Sequence, residues 1–159
     1  SYDAMKLFYL GTLNTRNIDQ TVQGFSRFYR QYKDTIEISY DIVGYGTADE
    51  EARLNNVIDE LELRNVVVFH GRKNHDELLP FLQKCNIGVS YVPVTPFFDC
   101  QPPTKTYEYI LSGMFCIATG TFENKRCIST QNGIICDKKK VREKLVPMFI
   151  TKQRKIIML

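Results

Sequence analysis

The chain reads as an α/β domain: a Rossmann-like, doubly wound parallel sheet with helices on both faces. Three observations carry that reading. Strand-like and helix-like segments alternate along the whole sequence. The strand-like runs, such as residues 7–10 and 66–69, are almost continuously apolar, as strands buried on both faces must be. Turns rich in glycine or proline then close several strands on what becomes one rim of such a sheet.

The elements follow in order. Residues 7–10 are the first strand, ended by a turn at 11–14. A helix is expected from about Asn17, which with Gln20 resembles a capping box. Its positions Ile18, Val22, Phe25, Phe28 and Tyr32 step by four, three, three and four along one face. Residues 36–43 form the second strand, ending at Gly44-Tyr45-Gly46. Thr47 and Glu50 make a full capping box for a helix carrying Leu54, Val57, Ile58 and Leu61. The third strand, 66–69, ends at His70-Gly71. A helix beginning near Asp76 or Glu77 buries Leu78, Phe81 and Leu82, with Pro80 tolerated only in its first turn. Residues 87–91 form the fourth strand. The loop after it, 92–103, holds four of the six prolines. Thr104 caps a helix whose buried stripe is Tyr107, Ile110, Leu111 and Met114. Strands at 115–118 and 133–136 and a basic helix to about residue 150 complete the chain.

A length of 159 residues suits one domain, expected to span 1–159 and large enough to bury roughly 68–70% of its unfolded surface. A net charge of +3 gives no argument for a nucleic-acid partner. The positive charge is uneven: residues 138–155 hold eight Lys or Arg against the single acid Glu143. Such a run is either a solvated helix face or a contact for an anionic membrane surface or partner. The five cysteines are scattered, odd in number and without metal-ligand spacing. Cys85 and Cys116 sit in apolar runs as small hydrophobes, which argues for a reducing, cytoplasmic setting. Attachment to the cytoplasmic membrane face is an expectation resting on the basic run. No apolar stretch approaches the ~20 residues that span a bilayer. The chain opens almost directly on a strand and is expected to be a piece of something longer.

Chemistry concentrates in Pro102-Pro103-Thr104-Lys105-Thr106-Tyr107-Glu108-Tyr109. A lysine in a first helical turn opposes the helix dipole, unless an anion normally sits there between free N–H groups and the ammonium. Glu108, one turn on, then stands where a carboxylate accepts hydrogen bonds from a sugar ring. The competing account makes Lys105 and Glu108 an exposed i, i+3 pair. Elsewhere, His70 is expected as a packed, hydrogen-bonded side chain, and His75 as a helix opener or a contact to a base. Two unclustered histidines offer no metal site, and no cofactor is expected. No Ser-His-Asp set appears in recognisable context. Gly44-Tyr45-Gly46 lacks the third glycine and the downstream acid of a dinucleotide fingerprint.

The ordered turns Tyr9-Leu-Gly-Thr-Leu13, Ile42-Val-Gly-Tyr-Gly46, Val68-Phe-His-Gly71 and Pro103-Thr-Lys105-Thr-Tyr-Glu108-Tyr, with Gly113 and Ile117-Ala-Thr119, resemble the C-terminal half of a GT-B glycosyltransferase. The likeness is to the retaining family often called group 1 or family four, and covers about residues 6–136. It implies a donor domain for a nucleotide-diphosphate sugar, with the saccharide or lipid-linked acceptor and any general base on an N-terminal domain absent from this chain. Transfer is then metal-independent and retaining, in polysaccharide biosynthesis, and the fragment alone is inactive. By resemblance Glu108 bonds the ribose hydroxyls, and Lys105, Arg16, Gly11 and the helix start at Thr104 grip the diphosphate. Gly71 opens the turn that holds the base. Arg16 also reads as a solvent-exposed loop residue. One departure stands out: many members carry a second glutamate eight positions before the first, and here that position is Cys100. Asp99 or Gln101 is left to contact the sugar. Cys100 gives no sign of a reactive thiol. Rival readings are a non-catalytic nucleotide-binding module, a GT-B-shaped nucleotide-sugar epimerase and a dehydrogenase.

Overall fold

A computed structural model describes residues 4–136; the expected basic helix, and the membrane contact assigned to it, lie outside the described residues. Six strands alternate with helices: β1 (Ala4–Thr12), α1 (Asp19–Tyr32), β2 (Glu37–Tyr45), α2 (Ala48–Glu60), β3 (Val67–Phe69), a 3-10 turn (His75–Glu77), α3 (Leu79–Lys84), β4 (Ile87–Ser90), α4 (Pro96–Asp99), α5 (Thr104–Leu111), β5 (Phe115–Thr119), α6 (Phe122–Cys127) and β6 (Gly133–Cys136). The strands form one parallel sheet in the order β3-β2-β1-β4-β5-β6. That is the doubly wound order expected, with its topological switch between β1 and β4.

Period-2 alternation divides the core into two layers. Leu7 and Tyr9 join α1 and α2 through Val22, Phe25, Phe28, Leu54 and Ile58 on one face. Phe8 and Val43 join α3 and α5 through Phe81, Leu82 and Tyr109 on the other. Thr47 accepts from the Glu50 N–H and Glu50 reaches back to the Thr47 N–H, so the second capping box forms as read. Pro80 lies in the first turn of α3. His70 packs on Phe81 at 4.8 Å and meets the buried Asp41 carboxylate at 2.7 Å, a structural role.

Four local expectations are corrected. Asn17 and Gln20 make no capping box, because Asn17 adopts a left-handed φ of 51° and α1 begins at Asp19 behind Ile18. Pro103, not Thr104, occupies the cap position of α5; Thr104 is the first helical residue and no side chain caps this end. The buried face of α5 is Thr106 and Tyr109, while Tyr107 is 43% and Leu111 87% exposed. Finally, two helices form where none was expected: α4 inside the expected loop 92–103, capped by Thr95 accepting from the Phe98 N–H, and α6, capped by Thr121 accepting from the Asn124 N–H.

Candidate donor site at the switch point

Nine residues of β1 pair with β2, but β1 pairs with β4 only at Leu7–Ile87 and Phe8–Gly88. The two strands then part. The open edge of β1 is closed by a side chain: the Leu10 N–H donates to the Tyr109 hydroxyl at 2.8 Å. A Cβ at Gly88 would fall 2.3 Å from Tyr109 Cγ, so a glycine there lets α5 lie against the sheet. Thr106, one turn earlier, sits 2.7 Å from Ser90 Oγ and donates to Asn124 Oδ1 at 2.8 Å. Asn124 in turn donates to the Thr119 carbonyl. This buried network fixes the rotation of α5 and turns Lys105 toward the gap.

In that gap Lys105 meets Tyr9, a residue of the opposite core layer. Its ammonium donates to the Tyr9 hydroxyl at 3.3 Å and lies 4.4 Å from the ring centroid. Gly11, with φ +147°, passes so close that a Cβ would stand 3.0 Å from Lys105 Nζ. No ion pair joins Lys105 to Glu108 among the described residues, so the exposed-pair account does not hold. Burial, with the Arg16 charge next in size, lowers the Lys105 amine to about 7, against a smaller upward pull from Cys116 and Glu108.

Arg16 completes the group. Thr15 and Asn17, on either side of it, both take left-handed backbone conformations, φ 58° and 51°. A β-branched residue rarely does so, and such strain concentrates at functional sites. Glu50 of the α2 capping box holds the bend by accepting the Thr15 N–H at 2.9 Å. The guanidinium lies 3.9 Å over the Phe98 ring. Its Nε and Nη1 are buried without a hydrogen-bond partner among the described residues. Buried donors of this kind normally find an acceptor. Two cations therefore lie within electrostatic reach of each other and of Tyr9, with guanidinium donors to spare and, among the described residues, no carboxylate bonded to either.

The other anticipated residues lie along α5, on the rim beyond β2, and on α4 and the loop after it. Glu108 is exposed one turn along α5 from Lys105. Thr104, also exposed, opens the helix. Gly71, at φ +67°, accepts the Gly44 N–H at 2.9 Å, which sets it on the same rim beyond β2. Beside it Arg72 lies 5.0 Å from the exposed Tyr45 ring. Asp99 has a structural bond, its Oδ1 accepting the Phe122 N–H at 2.8 Å. Gln101 and the free Cys100 are exposed. Further along the rim a cleft of about 250 Å³ is lined by Gln20, Tyr91, Pro93, Thr95 and Thr119; neither cation lines it. Among the described residues no group of three or more His, Cys, Asp or Glu is placed to hold a metal, and no helix is long and apolar enough to cross a membrane. Sequence reasoning missed Tyr9, Phe98 and Tyr109, whose roles depend on contacts across the fold.

A family model described as "Glycosyl transferases group 1" matches residues 3–146. A comparison with curated protein sequences gives no match. Among solved structures, the C-terminal domain of the glycosyl transferase group 1 family protein LpcC from Francisella tularensis superposes with a TM-score of 0.72 at 18% identity, covering 94% of this chain and 77% of that one. Anabaena Alr3699/HepE in complex with UDP and glucose gives 0.74 at 15%, covering 94% and 38%. The pneumococcal O-GlcNAc transferase GtfA in complex with UDP and GlcNAc gives 0.69 at 18%, covering 93% and 28%. At these identities the likeness is one of fold, and the chain spans well under half the length of the latter two. The family match takes in nearly the whole sequence: the chain belongs to the glycosyl transferases group 1 family, as a Rossmann-like half of a GT-B fold.

Proposed function

We propose that this domain binds the nucleotide-diphosphate sugar of a retaining glycosyltransferase, at the gap between β1 and β4. The observation that carries the proposal is the pair Arg16 and Lys105: buried guanidinium donors and an amine within their electrostatic reach, with no hydrogen-bond partner for the former and no bonded carboxylate for the latter among the described residues. A diphosphate supplies the acceptors and charge this pair lacks. Glu108 takes the ribose hydroxyls, a charged hydrogen bond worth roughly 1.5–3 kcal/mol. Gly71 and the turn after it hold the base, while Asp99 and Gln101 lie toward the sugar. UDP in the HepE and GtfA complexes supports a nucleotide ligand here.

As the bond to the sugar breaks, negative charge grows on the departing diphosphate. Lys105, Arg16 and the start of α5 stabilise it, and the role needs no metal. The acceptor, saccharide or lipid-linked, and any base acting on it belong to a further domain, so this chain binds donor without transferring sugar. Residues 138–155 are assigned to peripheral contact with anionic membrane; flotation with anionic liposomes at low salt tests that, and unchanged flotation removes it.

A thermal-shift panel of nucleoside diphosphates and their sugars tests the site. A ligand at one hundred times its dissociation constant stabilises by about 2.7 kcal/mol. A flat panel overturns the assignment. Sugar transfer by the isolated chain overturns the two-domain division.

A further inference from the structure

Tyr9 is fully buried in β1, and the bound-donor account gives it no task. Its hydroxyl donates to the Thr12 carbonyl at 2.7 Å. That bond uses the only phenol proton, and burial raises the phenol's pKa, so the group stays neutral. Its remaining lone pairs face the Lys105 ammonium, with the electron-rich ring face below.

Among the described residues, the charged and titratable groups that reach this amine are few. Tyr9 comes from β1, Arg16 from the bend before α1, Cys116 from β5, and Glu108 from the amine's own helix. Arg16 repels it. The Cys116 thiol is pushed up to about 12 by burial and is neutral. Glu108 is exposed and forms no ion pair with it. A flexible lysine beside a repelling guanidinium turns toward solvent or the nearest carboxylate unless something holds it. Tyr9 is what holds it.

We propose that Tyr9 is the positioning residue for Lys105: it keeps the amine at the diphosphate seat without supplying a counter-charge, so that the arriving diphosphate becomes the counter-ion and brings a proton onto Lys105. The inference rests on the donor-site assignment above. A carboxylate in place of Tyr9 would hold the amine as firmly but would already have neutralised it. With burial and Arg16 lowering the amine to about 7, the free site is only partly protonated at neutral pH and takes up protons when the anion binds.

The test is calorimetric titration of the 159-residue chain with UDP, GDP and ADP, each in two buffers of different ionisation enthalpy. Expected is uptake of a proton fraction approaching one near pH 8 and fading below pH 6, with affinity falling toward tenfold per pH unit above 7. Tyr9→Phe should weaken diphosphate binding about three- to tenfold at pH 8, leave the matching nucleoside unaffected, and add no loss on a Lys105→Met background. Binding enthalpy independent of buffer, or an equal Tyr9→Phe loss with and without Lys105, overturns the inference while leaving the donor site standing. Failure of the unmodified chain to bind any of the three nucleotides overturns the site itself. Should Tyr9→Phe not fold, Tyr9→Leu taken through the same cycle with Lys105→Met decides instead.

Discussion

Gly88 and Tyr109 occupy what would otherwise be the same space: a Cβ on Gly88 would meet the tyrosine ring at 2.3 Å, and Tyr109 spends its hydroxyl on the Leu10 N–H that β4 leaves unpaired. The absence of one side chain on β4 thus lets α5 lie on the sheet and aim its first turn at the gap. Gly88→Ala must push the ring and helix outward. Overpacking of this kind destabilises by about 1–3 kcal/mol. The expected outcome is a lower melting temperature together with weaker nucleotide binding, because Lys105 and Glu108 move with the helix. A variant as stable and as competent as the parent would show that α5 is held by other means.

Tyr109→Phe separates packing from bonding at the same place. The ring remains, but the part-buried Leu10 N–H loses its acceptor, a loss of about 1 kcal/mol. Chemical denaturation should show that loss with an unchanged m-value. Amide exchange at Leu10 should accelerate relative to its neighbours on the β2-paired edge.

Much of the architecture was written locally. Parallel strands buried on both faces leave continuous apolar runs, and the Thr47–Glu50 box is a matter of four residues, so both could be read without tertiary knowledge. The face of α5 could not. Its spacing favours Tyr107, Ile110, Leu111 and Met114, yet polar Thr106 goes inside because Ser90 and Asn124 satisfy it, and Tyr109 because Gly88 makes room. The short polar helix α6 has no apolar stripe to announce it; Thr121 three residues before Asn124 was the one available sign. At the candidate site, Lys105, Glu108 and Gly11 stand out by residue type and place. The meeting of Lys105 with Arg16 and Tyr9, 89 and 96 positions away along the chain, exists only after folding.

Glu108→Ala should remove most of the thermal response to ribonucleotides while leaving the apo domain folded, since the side chain is exposed and bonded to none of the described residues. Loss of charged hydrogen bonds worth roughly 1.5–3 kcal/mol corresponds to about a ten- to hundredfold weaker affinity. Titration with the matching deoxyribonucleotides provides the cross-check: they should lose less from the substitution than ribonucleotides do. Equal losses would place the ribose elsewhere.

The Glu50 carboxylate offers an acid-side test of the Arg16 bend. Its pKa is lowered by hydrogen bonds, first from the Thr47 N–H and then from the Thr15 N–H. A depressed folded-state pKa contributes stability that is complete above the unfolded value of about 4.3 and is lost as pH falls through the folded one. Amide exchange at Thr15, corrected for intrinsic pH dependence, should therefore lose protection as the pH falls from the unfolded carboxylate value through the lower folded one, and Glu50→Gln should show weakened protection already at neutral pH.

Lys105→Met carries the opposite sign. In the unfolded chain the amine keeps its proton up to about 10.4. In the folded domain burial and Arg16 bring that value down to about 7. Between the two the unfolded chain binds more protons, so the lysine's penalty on folding eases as pH rises from 7 toward 10 and is greatest below 7. Methionine, similar in length and uncharged, escapes that penalty and fills the space beside the Tyr9 ring. The variant should melt higher than the parent, by a larger margin at pH 6 than at pH 9, while its affinity for a nucleoside diphosphate falls at least tenfold, the loss expected from a buried charged contact. Stability gained and binding lost by one substitution is what a group retained for its ligand produces. A melting temperature that drops equally at both pH values would mean that Lys105 serves the fold instead.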